Sequence, residues 1–341
     1  MLASDTFKQN GVVDPLPKVS VVIPAYNAAP YIRETLESVF AQTFTDYEVI
    51  VVNDGSPDTK ELEGALAPYL NRIRYRKQEN LGAGAARNEG LRAARGEFVA
   101  FLDADDLWLP NYLHEQVKFI REQACDLVCA DAMHFGDSPL AGRTFMQAFM
   151  ETAPPTGEVT FLSLVSAEQS LVTSGVLARR EPIIEAGLFD EGLRNSQDFD
   201  LWLRLTRQGS RLAYQRKTLL RYRYHENSLS GDEINRNTRQ LCVLDKIETS
   251  FSLKPEEREV VFEAIARRRA ILEYELGKLY VDQGDLKRAR ESFAKANALH
   301  RNWKTQVALL LSRIAPSLLK RLRSRNLRKA HDHRTRTATK Y

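Results

Sequence analysis

The first third of the chain alternates short apolar runs with segments of helical spacing. "KVSVVIP" (18–24) is a nearly continuous β-branched run, typical of a strand covered on both faces. "APYIRETLESVFAQ" (29–42) has helical spacing, and "YEVIVVND" (47–54) is a second apolar run. The same patterns predict a strand near 72–77, a helix over about 84–94 and a strand over 97–103. Such alternation predicts an α/β fold with a doubly wound, mostly parallel sheet and right-handed crossovers.

Polar residues follow the predicted strands, at the edge where sheets of this kind bind ligands. "IPAYN" (23–27) closes the first strand and "NDGSPD" (53–58) closes the second. Asp54 would lie where a nucleotide base or ribose is recognised. The alternative is that Asp54 and Ser56 only shape a turn, with Ser56 as the N-cap of a helix that begins at Pro57. The residues alone leave both interpretations open.

The run "FLDADD" (101–106) closes the fourth predicted strand. In an extended D-x-D, carboxylates two residues apart point the same way, so Asp103 and Asp105 can converge on one cation. A divalent ion there would bridge a diphosphate and neutralise its charge. The alternative is a solvated acidic turn in which Asp106 caps a helix, but the position after an apolar strand favours the cation site.

A further acidic pair opens the amphipathic segment "SQDFDLWLRL" (196–205). Asp198 and Asp200 lie at the start of a predicted helix, where acidic residues interact favourably with the helix dipole. The other interpretation is that one of them is a carboxylate general base.

The composition predicts a folded protein that buries a sizeable core, since 43% of the residues are hydrophobic and 28% are charged. Cys125 and Cys129, in "CDLVC", are predicted to face one side of a strand as a reduced core pair. The sequence has no N-terminal apolar leader and no run of ~20 apolar residues. We therefore expect a cytoplasmic location.

The second half divides into a loop region and a helical region. The stretch 136–170 is rich in Gly, Pro, Thr and Ser without a clear period, and is predicted to be a long loop that lines an acceptor site. From about 255 the pattern is helical, and 274–299 resembles one tetratricopeptide helix pair, which must pack on another surface. The predicted divisions are an N-terminal extension (1–17), an α/β domain (18–235), a helical extension (236–316) and a disordered basic tail (317–341).

The net charge of +4 is distributed unevenly. Residues 317–341 contain nine Lys or Arg and one Asp, a local charge of +8, so the preceding residues sum to −4. Two interpretations remain open: a solvated helix end with a disordered tail, or a peripheral anchor on the anionic inner face of the cell membrane. We expect no nucleic-acid partner, because the tail lacks interleaved stacking aromatic residues.

Six segments together resemble the inverting family 2 glycosyltransferases, over residues 18–230. In order they are "VSVVIPAYN", "VVNDGSPD", "NLGAGAARNEGL", "FLDADD", "GLFDE…SQDFDLWLRL" and "YRYHENSLS". The resemblance implies a GT-A-type fold, a nucleoside-diphosphate-sugar donor (usually UDP), and Mg²⁺ or Mn²⁺ as cofactor. It also implies a saccharide or lipid-linked saccharide acceptor, in cell-surface polysaccharide or glycolipid synthesis.

The resemblance also implies roles for individual residues. Asp198 matches the catalytic base, and the metal ligands implied are Asp105, Asp103 and His225. The nucleotide-binding residues implied are Pro24, Ala25, Tyr26, Asn27, Asp54, Ser56, Gly84, Arg87, Asn88, Asp103 and Ala104. Gln197 departs from the family pattern, which often has Glu before the base; the lost negative charge should make Asp198 easier to ionise.

Two other functions remain open. Nucleotidyltransferases that make sugar nucleotides share the fold, but usually have a Gly-rich, Lys/Arg-containing loop after the first strand, which "IPAYNAAPYI" lacks. A catalytically inactive nucleotide-sugar-binding scaffold is the non-enzyme alternative. The acidic residues at 103, 105 and 198 and His225 argue against it, since an inactive copy would tolerate their loss.

Overall fold

The computed structural model describes residues 16–138, 140–150, 157–194, 196–225 and 232–323. Nearly all of the predicted N-terminal extension and most of the predicted basic tail, residues 324–341, lie outside the described residues. The part of "YRYHENSLS" after His225 does so as well.

One mixed sheet organises the first two thirds of the chain. Its strands are β1 (Val19–Ala25), β2 (Tyr47–Asp54), β3 (Arg74–Gln78), β4 (Phe98–Phe101), β5 (Leu107–Trp108), β6 (Leu127–Gly136), β7 (Glu158–Val159), β8 (Val176–Arg179) and β9 (Leu212–Tyr224). The order is β3-β2-β1-β4-β8-β6-β9-β5, with β7 paired to β9. Strands β1 to β4 are parallel, and β6 is parallel to β9. Strand β8 is antiparallel to both β4 and β6, so the fold is the predicted α/β class with a mostly parallel, GT-A-type sheet.

Helices cover the sheet and then continue the chain. They are α1 (Ile32–Phe40), α2 (Thr59–Leu66), α3 (Ala83–Ala93), α4 (Tyr112–Glu122), α5 (Phe145–Phe149), α6 (Phe161–Val165), α7 (Arg180–Glu185), α8 (Gln197–Arg207), α9 (Glu233–Ser250), α10 (Pro255–Gln283), α11 (Leu286–Leu299) and α12 (Trp303–Ile314). The first helix shows why they form: Ile32, Leu36 and Val39 recur at helical spacing and are fully buried against the sheet.

The turn after β2 corrects the predicted helix start. The helix begins at Thr59 with Asp58 at its N-cap position, and Ser56 is not the cap. The Ser56 hydroxyl oxygen instead accepts the backbone N–H of Asn27, at 2.7 Å. The Asp58 carboxylate accepts the Ser56 hydroxyl and the N–H of Ala29, so it makes no capping hydrogen bond with its own helix. Contacts between two loops therefore override the local capping signal.

Three further segments differ from the sequence predictions. Asp106 does not cap a helix, because a short strand follows it and helix α4 has Asn111 at its N-cap. The predicted loop 136–170 contains α5, β7 and α6, and both helices begin with a capping box. Cys125 precedes strand β6 rather than lying in it, although it is buried and free like Cys129.

The helical region contributes to two hydrophobic cores. Helix α9 and the first half of α10 pack into the core of the sheet through Val243, Ile247 and Ile265. The predicted boundary at residue 235 therefore does not separate two cores. A smaller cluster joins the end of α10 to α11 and α12 through Val281, Phe293 and Ala308.

Between α10 and α11 the chain turns at Gly284, which has a φ of 85°, and Asp285 caps the next helix. After α12, residues 316–323 are also helical. Leu319 is buried in the smaller cluster and Arg323 pairs with Asp282. The prediction of a disordered tail from 317 is therefore wrong up to residue 323, because these residues have apolar and ionic partners. Within the residues described, no helix is both long and apolar enough to span a bilayer.

Candidate active site

A cleft of about 440 Å³ opens at the carboxyl ends of β1, β2 and β4 and at the end of β9. Its lining includes Pro24, Ala25, Tyr26, Asn27, Asp54, Arg87, Asp103, Ala104, Asp105 and His225, all of which the sequence analysis selected. These side chains come from distant parts of the chain, and the parallel strands bring them together because their carboxyl ends meet at one edge of the sheet.

Asp54 ends β2 and organises the loop that precedes α3. Its Oδ1 accepts the side-chain amide of Gln78 at 2.8 Å and the N–H of Leu81 at 2.9 Å. Its Oδ2 accepts the N–H of Gly82 at 2.9 Å. Three of the roughly four acceptor positions of the carboxylate are thus occupied, and one on Oδ2 has no partner among the described residues.

Arg87, which is buried, and Asp103, which is partly exposed, form an ion pair in the cleft, with Arg87 Nη2 2.5 Å from Asp103 Oδ1. Arg87 comes from the first turns of α3, and its guanidinium also lies over the ring of Phe189. Burial raises the pKa of Asp103, opposed by Arg87, while the charges of Asp105 and Asp198 raise it further. Arg87 therefore offsets part of the accumulated negative charge.

Asp105 and His225 contact each other in the lining of the cleft. His225 Nε2 lies 2.9 Å from Asp105 Oδ2, and its ring stacks on Tyr31 with centroids 4.6 Å apart. Arg223 fixes this side of the cleft, since its Nε–H donates to the carbonyl oxygen of Asp105 at 2.7 Å. Its own backbone N–H donates to Asp106. Burial and the neighbouring carboxylates raise the pKa of Asp106 well above its usual value.

Three of the residues implied to bind the nucleotide do not line the cleft. Ser56 is buried in the turn described above. The Asn88 side chain donates to the carbonyl of Phe189 and to Glu191, and accepts the N–H of Phe189, which fixes the turn before α8. Gly84 packs against Gln197, where an added Cβ would meet the side chain at 3.1 Å. In the structure, these three residues support neighbouring elements.

Helix α8 places Asp198 and Asp200 in different surroundings. Asp198 Oδ2 accepts the hydroxyl of Thr173 at 2.9 Å, and its charge contributes to the raised pKa of Asp103. Asp198 is thus close to the acidic edge of the cleft, although it does not line the cleft. Asp200 is fully buried and pairs with Arg204 and Lys246, both at 2.8 Å. The carboxylate of Asp200 is therefore enclosed by its ion-pair partners, whereas that of Asp198 is only half-buried.

A second concavity, of about 520 Å³, lies beside Asn88 and the turn before α8. Its charged groups pair with one another: Lys246 with Asp190 and Asp200, and Arg92 with Glu191. These pairs occupy the groups that would otherwise contact a ligand.

Several residues that line the cleft were not predicted from the sequence: Tyr31, Asn80, Gly82, Ala83, Arg194, Tyr222, Arg223 and Asn235. Tyr222 and Arg223 could have been found from the sequence, because they lie in the same motif as His225 and shortly precede it along the chain. Gly82 and Ala83 place the N-terminus of the eleven-residue helix α3 at the cleft. A helix N-terminus is a favourable site for an anion.

The described residues contain no cluster of three or more His, Cys, Asp or Glu side chains arranged to hold a metal ion. Asp105 and His225 together supply two donors. Mg²⁺ and similar ions are usually held by one or two protein ligands plus substrate phosphates and water, and this pair fits such a site.

Residues 20–184 match the sequence model of glycosyl transferase family 2. A Rickettsia prowazekii protein described as an uncharacterized glycosyltransferase is 30% identical over 248 residues, which are 72% of this chain and 74% of that protein. An uncharacterized glycosyltransferase of Rickettsia felis is 32% identical over 225 residues, 65% of this chain. The chain spans about a third of the length of that protein and of two further Rickettsia relatives (36%, 31% and 36%).

Two solved structures share the fold. The S. aureus TarS 1–349 complex with UDP-GlcNAc aligns with a TM-score of 0.64 at 20% identity, over 92% of each chain. The mannosyltransferase PcManGT from Pyrobaculum calidifontis, in complex with GDP-Man and Mn²⁺, aligns with a TM-score of 0.59 at 19% identity, over 91% of this chain and 85% of its own.

Proposed function

The chain belongs to glycosyl transferase family 2, and from that premise we propose that it moves a sugar from a UDP-type donor to an acceptor hydroxyl with inversion. The observation that carries the proposal is the cleft, which brings Asp54, Arg87, Asp103, Asp105 and His225 to one edge of the sheet. Cationic side chains and a helix N-terminus lie beside carboxylates there, as a metal-bound diphosphate requires.

The hydrogen-bonding state of Asp54 supports uracil as the base. One acceptor position remains on its Oδ2, while Gln78, Leu81 and Gly82 occupy the others. Uracil offers a single ring N–H between two carbonyls, whereas guanine offers two adjacent donors. A site with one vacant acceptor matches the former. Among structures of the same fold, the TarS complex contains UDP-GlcNAc, and PcManGT contains GDP-Man.

Asp105 and His225 are the residues that would hold Mg²⁺ or Mn²⁺. Each presents a donor atom to the cleft, and neutral imidazole with carboxylate suits such ions. When bound, the ion would neutralise the charge that develops on the departing diphosphate. Asp103 is already paired with Arg87, so we assign it to the rim of the diphosphate or ribose site.

Asp198 is the group that we propose as the base. Its carboxylate takes the proton from the acceptor hydroxyl as that oxygen forms a bond to the anomeric carbon. The bond between the anomeric carbon and the diphosphate oxygen breaks, and its electron pair leaves with the nucleoside diphosphate. The Thr173 hydroxyl holds the carboxylate in place from the side of Oδ2. Attack from the face opposite the leaving group gives inversion.

The acceptor that we propose is a saccharide, or a lipid-linked saccharide, of a cell-surface polymer or glycolipid. The cleft supports this class because it is open, and because Tyr26 and Tyr31 lie in its lining. Aromatic faces of this kind can pack on the apolar faces of sugar rings.

A donor screen tests the proposal. Release of nucleoside diphosphate is followed for UDP- and GDP-sugars, with Mn²⁺, with Mg²⁺ and after chelation. We expect UDP-sugar turnover that requires a divalent ion and is lost in Asp105→Asn. Asp46→Asn is the matched control, since Asp46 lies at the opposite end of β1, beside Lys18.

Three outcomes would contradict the proposal. Full turnover after exhaustive chelation would remove the metal assignment. Formation of a sugar nucleotide from a sugar phosphate and a nucleoside triphosphate would favour the nucleotidyltransferase alternative, and donor binding without any turnover would favour the inactive scaffold.

A further inference from the structure

Helix α12 exposes an apolar stripe on its outer face. Trp303, Val307, Leu310 and Ile314 recur at intervals of three or four residues, which places them on one side of the helix. They are 69%, 44%, 54% and 69% exposed. The opposite side of α12 is buried in the smaller core. The stripe is therefore a second apolar face of α12, which does not contribute to the smaller core.

Large exposed apolar side chains concentrate in this region. Among the described residues, sixteen large hydrophobic side chains are exposed, and six of these lie between Trp303 and Leu322. Single exposed apolar residues are ordinary on a protein surface, but contiguous ones indicate an interaction site. The two outside the stripe, Leu318 and Leu322, lie on the helical residues that follow Ala315.

The charge around the stripe limits what can cover it. Residues 292–331 contain ten Lys or Arg and no Asp or Glu. Lys304 and Arg313 are exposed and flank the stripe on its two sides, as the helical spacing of 100° per residue requires. An apolar stripe bordered by cations is the pattern of a helix that lies in the plane of an anionic membrane surface.

A second copy of the chain fits the stripe less well. A two-fold dimer through α12 would bring the same cationic flanks together, and this segment has no acidic residue to pair with them. Anionic lipid headgroups supply the opposite charge on both flanks at once.

We propose that α12 docks on an anionic lipid bilayer, with Trp303, Val307, Leu310 and Ile314 in the headgroup region and the surrounding cations on the lipid phosphates. The inference does not rest on the sugar-transfer activity. It differs from attachment by the basic tail alone, because the apolar contact belongs to a folded helix that precedes the tail.

The test uses the full chain and co-sedimentation with phosphatidylcholine vesicles, with and without phosphatidylglycerol. We expect binding only when phosphatidylglycerol is present, and weaker binding as salt is raised. Leu310→Gln combined with Ile314→Gln should lower the partition coefficient at least about tenfold. The control is Val260→Gln with Ile271→Gln, two residues of α10 that are 50% and 61% exposed, and it should bind as the parent does.

Tryptophan fluorescence provides a second measurement. Trp108 and Trp202 are buried and Trp303 is exposed, so a blue shift on vesicle addition should come from Trp303 and vanish in Trp303→Phe. Nucleoside diphosphate release should be unchanged in every variant, because none lies at the cleft.

Three outcomes would overturn the proposal. One is equal binding by the stripe variant and the parent, which would leave the basic residues as the anchor. Another is no binding to anionic vesicles. The third is a concentration-dependent dimer in sedimentation equilibrium that the stripe variant abolishes, which would make a second copy the occupant.

Discussion

Asp198 and Asp200 are separated by one residue, yet their surroundings differ. Helix α8 turns Asp200 into the protein, where Arg204 and Lys246 compensate its charge. Asp198 stays half-buried, and among the described residues its side-chain hydrogen-bond donor is Thr173. A general base must reach its substrate and be ionised so that it can accept a proton. Of these two residues, Asp198 is the more accessible, and for this reason we propose it as the base.

Replacing Asp198 by Asn removes the proton acceptor while keeping the size of the side chain and its bond to Thr173. We expect sugar transfer to fall by ~10²–10⁴-fold, the usual effect of losing general-base catalysis. Affinity for nucleoside diphosphate, measured by calorimetry, should change little because Asp54 and Asp105 are intact. Asp200→Asn should instead lower the denaturation midpoint. Near-normal transfer by Asp198→Asn would show that another group is the base.

The cysteines give a second prediction at this scale. Burial raises the pKa of the Cys125 thiol to about 11 and that of Cys129 to about 12, whereas Cys242 is exposed. Because the thiolate is the reactive form, one thiol should react rapidly with a disulfide reagent in the native protein. The other two should react only after denaturation, and Cys242→Ser should abolish the rapid phase. Rapid reaction of all three would mean that the β6 region opens readily.

Prediction of cleft-lining residues from the sequence agrees with the structure where a strand end fixes the location. Asp54 and Asp105 follow apolar strands, and parallel strands deliver their ends to one edge. It failed for Asn88 and Ser56, because a polar side chain near the site serves equally well to bind a neighbouring backbone group. Nothing in the local sequence tells these two uses apart, since the partners of Asn88 lie about a hundred residues away.

At the scale of elements, a glycine sets the contact between α10 and α11. A Cβ added at Gly277 would lie 2.5 Å from the ring of Phe293, which is buried in the smaller core. The two helices approach so closely because residue 277 has no side chain. Gly64, in α2, contrasts with it, since nothing lies within 4 Å of its added Cβ.

These two glycines should respond oppositely to the same substitution. Gly64→Ala should stabilise the protein by up to about 1 kcal/mol, the ordinary helix preference for Ala. Gly277→Ala should destabilise it by about 1–3 kcal/mol, because the ring of Phe293 must move. Urea unfolding of both variants measures the difference. Stabilisation by Gly277→Ala would show that the helices separate without cost.

The elements themselves were predictable to different degrees. Strands β1 and β2 were predicted nearly to the residue because they are β-branched runs buried on both faces. Strand β9 was not identified, because Arg and Lys residues interrupt the alternation of apolar and polar residues in "LAYQRKTLLRYRY". In the structure this strand pairs with three other strands. The antiparallel placement of β8 was missed because strand order depends on contacts between distant segments.

At the scale of the whole molecule, Lys246 joins the helical region to the region that carries the cleft. Lys246 lies on α9, and its ammonium group pairs with Asp200 of α8 and with Asp190 in the turn that precedes α8. Asn88 holds the same turn from the side of α3. Three elements are thus fixed around the first turn of α8, which contains Asp198.

Lys246→Met should leave Asp200 with one partner and lower the free energy of unfolding by roughly 2 kcal/mol. This is less than a fully buried pair would lose, because the Lys246 side chain is 28% exposed. Transfer should fall as α8 loosens, with a smaller effect on nucleotide affinity. Lys287→Met is the matched control, on the exposed face of α11. An unchanged unfolding curve for Lys246→Met would mean that Arg204 alone compensates Asp200.

Helix α10 contributes to both hydrophobic cores, which limits where the chain can be divided into separate folding units. Its residues as far as Leu272 pack with the sheet, through Ile265 and Leu272, and its last turn, at Val281, packs with the smaller core. Recombination that cut the chain where the family match ends, at 184, or at 235, would divide a continuous apolar interior. A transplantable catalytic unit must therefore carry α9 and much of α10 with it. A cut at Gly284 would divide only the smaller core, which Val281 of α10 shares with Phe293 of α11 and Ala308 of α12.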